Sequence, residues 1–166
     1  MKTGTALAGG LAGAVTLNLI HELYRKIDKD APHIHLIGEE ALAKGLKAAN
    51  LSVPRQKELY QLALAGDILS NTFYYSLIGF GKKKHLLRRG LAMGLAAGLG
   101  AVFMPQKMGL NDAPASRTTE TKILSILWYT LGGITAAGAI SFLQKKKKTA
   151  KTSTYYARPN LFRHTV

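Results

Sequence analysis

Ala65-Gly-Asp-Ile-Leu-Ser-Asn-Thr-Phe-Tyr-Tyr-Ser-Leu-Ile-Gly-Phe80 completes an apolar run that begins at Leu59 and carries a single charge, Asp67. A helix over residues 58–80 is long enough to cross the hydrocarbon core of a bilayer, which takes about 20 residues. A carboxylate near the middle of such a helix costs about 3 kcal/mol on insertion scales, so it has to face protein rather than lipid. Asp67, Ser70, Asn71 and Tyr74 stand at i, i+3, i+4 and i+7 and share one helical face. The first apolar segment repeats that spacing with Asn18, His21, Glu22 and Arg25. As antiparallel neighbours, the two helices would bring these stripes to similar depth. Asn18, Ser70, Asn71, His21 or a tyrosine hydroxyl would then serve as partners for Asp67.

The remainder of the chain follows the same pattern. Four spans are expected, at about residues 4–23, 58–80, 88–105 and 121–143, the first and third short and glycine-rich. Lys2 ahead of an apolar run resembles a secretory signal, but no small-x-small cleavage site closes it, and it reads as a retained first helix. The fold class predicted is all-α, a four-helix integral membrane bundle over residues 1–144 followed by a flexible basic tail over 145–166. Between the first two spans, Pro32 breaks regular structure. Leu42, Leu46 and Ala49 then recur at helical spacing in a short amphipathic helix, either lying on the outer surface or packed on the bundle. Pro54 is placed to start the second span, Pro105 to close the third, and Thr118 or Thr119 to cap the fourth.

With 166 residues, 47% hydrophobic, 19% charged and no cysteine, the chain excludes disulfide and thiolate chemistry. Its net charge of +14 would suggest nucleic acid if evenly spread. It is not evenly spread. With the N-terminus cytoplasmic, the loop 81–90 and the segment from residue 144 carry Lys82, Lys83, Lys84, Arg88, Arg89, Lys145, Lys146, Lys147 and Lys148 and no acid, whereas the opposite side mixes both signs. That asymmetry fits the positive-inside rule with both termini cytoplasmic, in a bacterial inner membrane. The lysines of this face, Lys82 to Lys84 and Lys145 to Lys148, are then expected to meet anionic headgroups. A basic helical protein that binds nucleic acid is the alternative, kept open by a mean hydropathy of only +0.03.

Gly90, Gly94 and Gly98 at four-residue spacing, Gly9 with Gly13, and Gly132 mark faces where another helix backbone comes close. Packing within one chain is the expected use; docking of other membrane subunits or a second copy is the alternative. His21, His33 and His35 fall on one side of the membrane and form a weak candidate metal set. In His21-Glu-Leu-Tyr-Arg25, arginine stands where a zinc protease needs its second histidine. No serine-histidine-aspartate order, phosphate-binding glycine loop or aspartate-rich metal motif occurs, so enzyme activity lacks support and no cofactor is expected.

His21-Glu22 with Arg25, Asp30-Ala31-Pro32, Gly66-Asp67 with Ser70-Asn71, Tyr74-Tyr75-Ser76 and Arg117-Thr118 with Thr121-Lys122 resemble an uncharacterised family of small multi-pass bacterial membrane proteins, over roughly residues 3 to 140. The resemblance implies a membrane location and no activity. On sequence, then, the expected function is an accessory or scaffolding membrane component. A proton- or ion-handling unit built on the Asp67 cluster is the alternative, with the nucleic-acid binder a second.

Overall fold

The computed structural model describes residues 3–156, with side chains to residue 146. Among these residues there are six α-helices and no strand: α1 (Thr3–Tyr24), α2 (Ile34–Ala48), α3 (Gln56–Ser76), α4 (Leu86–Lys107), α5 (Ala113–Ser116) and α6 (Thr119–Tyr156). Helix α6 lies between α1 and α4 and packs along both, while α3 packs along the other side of α1. The expected long helices are thus all present, with α1, α3 and α4 each within a few residues of the predicted bounds. Three helical segments, Thr3–Tyr24, Lys83–Lys107 and Thr119–Lys146, are long and apolar enough to cross a membrane. By that measure α3 is not among them, because Lys57, Glu58, Asp67 and its amides and hydroxyls lower its hydropathy.

Glycine sets the spacing of the bundle. A Cβ on Gly13 would sit 2.5 Å from the Gly132 carbonyl oxygen, and one on Gly90 would sit 2.6 Å from that of Gly133. Gly94 and Gly98 meet the α6 backbone at Thr130 and Ile126 equally closely, and Gly9 faces Ile140. Such contacts let helix axes approach until backbones touch, the gain being dispersion rather than a hydrophobic force. The small-residue faces are therefore filled from within the chain. Into the space left between α1 and α6, α3 inserts Tyr75, whose ring lies against Gly13 and Gly132 and whose hydroxyl donates to the Tyr129 carbonyl at 2.8 Å. Leu17, Ile78 and Ile140 complete a fully buried centre.

The ends of the helices show their causes locally. Thr118 caps α6 by accepting the Thr121 backbone N–H at 3.0 Å. Helix α3 starts at Gln56, two residues past Pro54, with Glu58 favourably placed in its first turn. Pro105 does not close α4; the helix continues to Lys107. Between α3 and α4, Gly81 takes φ +106°, and Arg89 holds the turn by donating to the carbonyls of Ile78 at 2.8 Å and Lys82 at 3.1 Å. The expected flexible tail needs correction at its start, since residues 145–156 continue α6 as helix; the apolar periodicity ends at Leu143, but no glycine or proline stops the helix there. Residues 157–166 of that tail lie outside the described residues.

Helix α2 packs on the bundle against α3 and α5. The His33 backbone N–H donates to the Pro114 carbonyl at 2.8 Å, Glu40 pairs with Lys44 at 2.7 Å and accepts the Asn111 N–H at 2.9 Å, and buried Glu39 accepts from Gln56 Nε2. Apart from the Glu40–Lys44 pair, which lies within α2, these polar ties fix α2 across one end of the bundle. The opposite end gathers Lys82, Lys83, Lys84, Arg88, Arg89, Lys145 and Lys146 with no described acid among them.

Gly94→Leu should destabilise the protein by about 1–3 kcal/mol, because the backbone it meets cannot yield as a side chain would. Gly100→Ala on the same helix, where a Cβ meets nothing within 4 Å, should be neutral or slightly stabilising. Thermal unfolding of the two variants in detergent checks the contrast.

Candidate functional site

The two polar stripes do meet. Asn18 Nδ2 on α1 donates to Asp67 Oδ2 at 2.8 Å and to the Ala14 carbonyl at 3.0 Å. From α3 itself, Asn71 Nδ2 donates to Asp67 Oδ1 at 2.9 Å. Each carboxylate oxygen thus holds one amide donor, and no lysine or arginine pairs with it. Ser70 stands beside Asp67 in sequence but spends its hydroxyl on the Asp67 main-chain carbonyl, and Tyr74 turns away to the Met93 carbonyl on α4 at 2.9 Å.

Glu22 and Arg25 form a second group, one turn further along α1. Their ion pair is 2.7 Å long, and the Tyr60 hydroxyl donates to Glu22 Oε1 at 2.8 Å. Tyr60 was not singled out from the sequence, although it lies seven residues before Asp67 and extends the same face by a heptad. Also unforeseen is the setting of His21. Its ring stands edge-on to Trp128, centroids 4.7 Å apart, and near Tyr129 at 6.0 Å. Both ring nitrogens are buried, and neither completes a hydrogen bond, although the Pro32 carbonyl lies close.

The three histidines do not converge. Among the described residues no group of three His, Cys, Asp or Glu side chains is placed to hold a metal ion. The His33 and His35 rings lie 5.8 Å apart, His35 stands edge-on to Tyr60, and His21 belongs to the aromatic cluster on α6. Burial holds the imidazoles of His33 and His35 below the usual histidine range, helped at His33 by Arg117 and at His35 by Arg25. Their rings serve as aromatic contacts at the start of α2.

Between these groups lies a cavity of about 270 Å³, near the lower end of small-molecule sites. Asn18, His21, Glu22 and Asp67 supply its polar side; Ile34, Ile37 and Ala41 of α2 cover it, Ala63 and Leu64 come from α3, and Gly100, Met104 and Met108 line it from α4 and the turn beyond. Its origin is visible in the packing. Helices α3 and α4 touch little apart from the Tyr74 hydroxyl on Met93, so they leave a gap at the α2 end that α2 roofs over. Toward the basic end Ala14, Leu17 and Tyr75 are fully buried and fill the core.

Comparison with protein-family models, with curated proteins and with solved structures finds no match to this chain.

Asp67→Leu should strand the Asn18 and Asn71 donors and destabilise the protein by about 1–3 kcal/mol, whereas Asp67→Asn keeps an acceptor and should cost less. A melting temperature of Asp67→Leu equal to that of the wild type in detergent would show that the clasp contributes nothing to stability.

Proposed function

We propose that the protein is a four-span integral membrane protein, both termini cytoplasmic, that acts by binding, as an accessory or scaffolding component, and not by catalysis. The observation that carries the fourth span is the register of α3 on α1. A Cβ on Gly10 would run into α3 at Thr72 and Ser76, Asn18 bonds Asp67, and Glu22 bonds Tyr60, so the two helices run antiparallel along their shared length. A span at the depth of α1 carries α3 to the same depth. Its residues are sorted accordingly: Asn71, Tyr75 and Ser76 are buried, while Leu62, Leu69, Phe73, Leu77 and Phe80 point outward, each more than half exposed. Polar inside and apolar outside is the arrangement a lipid-facing helix requires.

The other helices present matching outer stripes, Leu11, Val15 and Leu19 on α1, Leu91, Leu95 and Leu99 on α4, and Ile123, Leu127 and Leu131 on α6. This belt suits lipid or the flank of another membrane subunit. The acid-free end, with Lys82 to Lys84 and Lys145 to Lys148, suits the anionic cytoplasmic leaflet, and a bacterial inner membrane is the setting proposed. An apolar belt of this extent weighs against the nucleic-acid reading, since such a protein needs a wet, polar surface. Ion handling through Asp67 is favoured by the absence of a cationic partner, and opposed by the filled core between Asp67 and the basic end.

The chain has no cysteine, so single-cysteine variants report topology directly. In sealed vesicles with the outer face exposed, an impermeant maleimide should label Lys47→Cys at once, and Lys83→Cys and Lys146→Cys only after permeabilisation. Labelling of Lys47→Cys and Lys83→Cys from the same side would leave α3 short of a span and overturn the topology.

A scaffolding role predicts that extraction in mild detergent, after crosslinking in the membrane, recovers the chain bound to another protein or to a second copy. Recovery as a bare monomer alone would count against it.

A further inference from the structure

The cavity holds a carboxylate with no cation beside it, and that decides what it can hold; of its other polar residues, neutral His21, His35 and Tyr129 can each donate as well as accept. Asn18 has spent both Nδ2 hydrogens, on Ala14 and Asp67, and keeps only its carbonyl oxygen. Both flanking atoms are acceptors, so the amide cannot be turned the other way. The Asp67 oxygens each carry one donor and retain free lone pairs. His21, its two nitrogens buried and the Pro32 carbonyl close by, lines the same space and in its neutral form offers one N–H donor and one lone pair. A buried carboxylate is costly unless paired with a cation, and this one has none beside it. Arg25, one turn beyond on α1, is engaged by Glu22, and no lysine or arginine lines the cavity.

We infer that this cavity binds a small aliphatic amine in its ammonium form. An ammonium group carries three N–H donors and no acceptor, which matches Asp67, the Asn18 carbonyl and the lone pair of His21; a carboxylate or phosphate group would meet the like charge of Asp67. The alkyl part would lie against Ile34, Ile37, Leu64 and Met104. Methionine in that wall adapts to chains of differing shape, as a thioether with three rotatable bonds does. Aqueous amines and the aminoethyl head of a lipid share this chemistry, and the cavity size admits either head. The inference concerns the cavity and does not depend on how many helices cross the membrane.

The probe is octylamine, with octanol as the uncharged control of equal chain length. Purified protein is reconstituted in phosphatidylcholine nanodiscs, and binding is read by calorimetry as the excess over Gly100→Leu. That variant fills the cavity from a position where a Cβ meets nothing, leaves Asp67 untouched, and serves as a folded reference. Octylamine should bind the wild type and not Gly100→Leu, and should lose at least tenfold in affinity in Asp67→Asn, with octanol weak throughout. Adding phosphatidylethanolamine to the discs assigns the source: competition with octylamine makes the ligand a lipid head, and no competition makes it a soluble amine, both outcomes supporting ammonium recognition. Equal binding of octylamine and octanol, or octylamine binding unchanged in Gly100→Leu, would overturn the inference.

Discussion

Two adjacent residues on α6, Gly132 and Gly133, constrain everything else in the bundle. Adjacent positions on a helix point about 100° apart, so one glycine faces α1 and the other faces α4. Each lets a neighbouring backbone come into contact, at Gly13 on one side and at Gly90 and Gly94 on the other. Helix α6 thereby becomes the axis to which two helices are fastened at fixed angles. Helix α3 has no such glycine contact with α6. It reaches the axis through Tyr75, whose ring takes the space that missing side chains leave and whose hydroxyl finds a main-chain carbonyl. Tight packing at the basic end and a gap at the other both follow from this, because α3 and α4 are each held to inner helices and hardly to one another.

That gap is where the chain places its most costly group. A mid-helix carboxylate is stabilised by amides from two helices, yet two donors do not saturate it, and the remaining lone pairs face a cavity and not lipid or packed side chains. A purely structural clasp would be served as well by an asparagine or a serine at lower desolvation cost. Asp67 also lacks the arginine or lysine that a structural ion pair would supply, although Arg25 is available on α1 and is committed instead to Glu22. A carboxylate with no cationic partner, lining the same cavity as a buried histidine, is the feature on which the proposed amine site rests.

Much of this was legible in the sequence because helical periodicity is strict. The meeting of Asn18 with Asp67 follows from two stripes of the same spacing on antiparallel helices, and the glycine faces follow from four-residue repeats. What periodicity cannot supply is the rotation of a side chain about its own bonds. Ser70 and Tyr74 share the face of Asp67 and still turn to main-chain carbonyls, because a hydroxyl bonds whichever acceptor lies within reach. Nor does spacing reveal which distant helix supplies a neighbour. Trp128 and Tyr129, the surroundings of His21, lie more than 100 positions along the chain, and nothing in their local pattern marks them. The metal set failed for the same reason: three histidines on one side of a membrane are brought near each other by topology, but α2 directs His33 and His35 to each other and to Tyr60 while α1 directs His21 into the aromatic core.

The placement of the cavity along the bundle argues for binding over passage. All its lining residues lie in the half nearer α2, and the half below is occupied by Ala14, Leu17, Tyr75 and Ile78, none of which exposes any surface. Opening a route through that half would mean separating backbones in contact at Gly13 and Gly132 and breaking the Tyr75 hydroxyl bond, against packing that admits no intermediate spacing. The α2 end is built differently. Its roof is a short helix tied by hydrogen bonds at its margins, with Asn50 in the left-handed region at φ 56° and a non-helical segment through Pro54 joining it to α3. Polar ties at a water-facing surface exchange readily with solvent, whereas glycine-backed contacts do not. For the proposed amine site, access to Asp67 would therefore come from the α2 side, with the closely packed half as its floor.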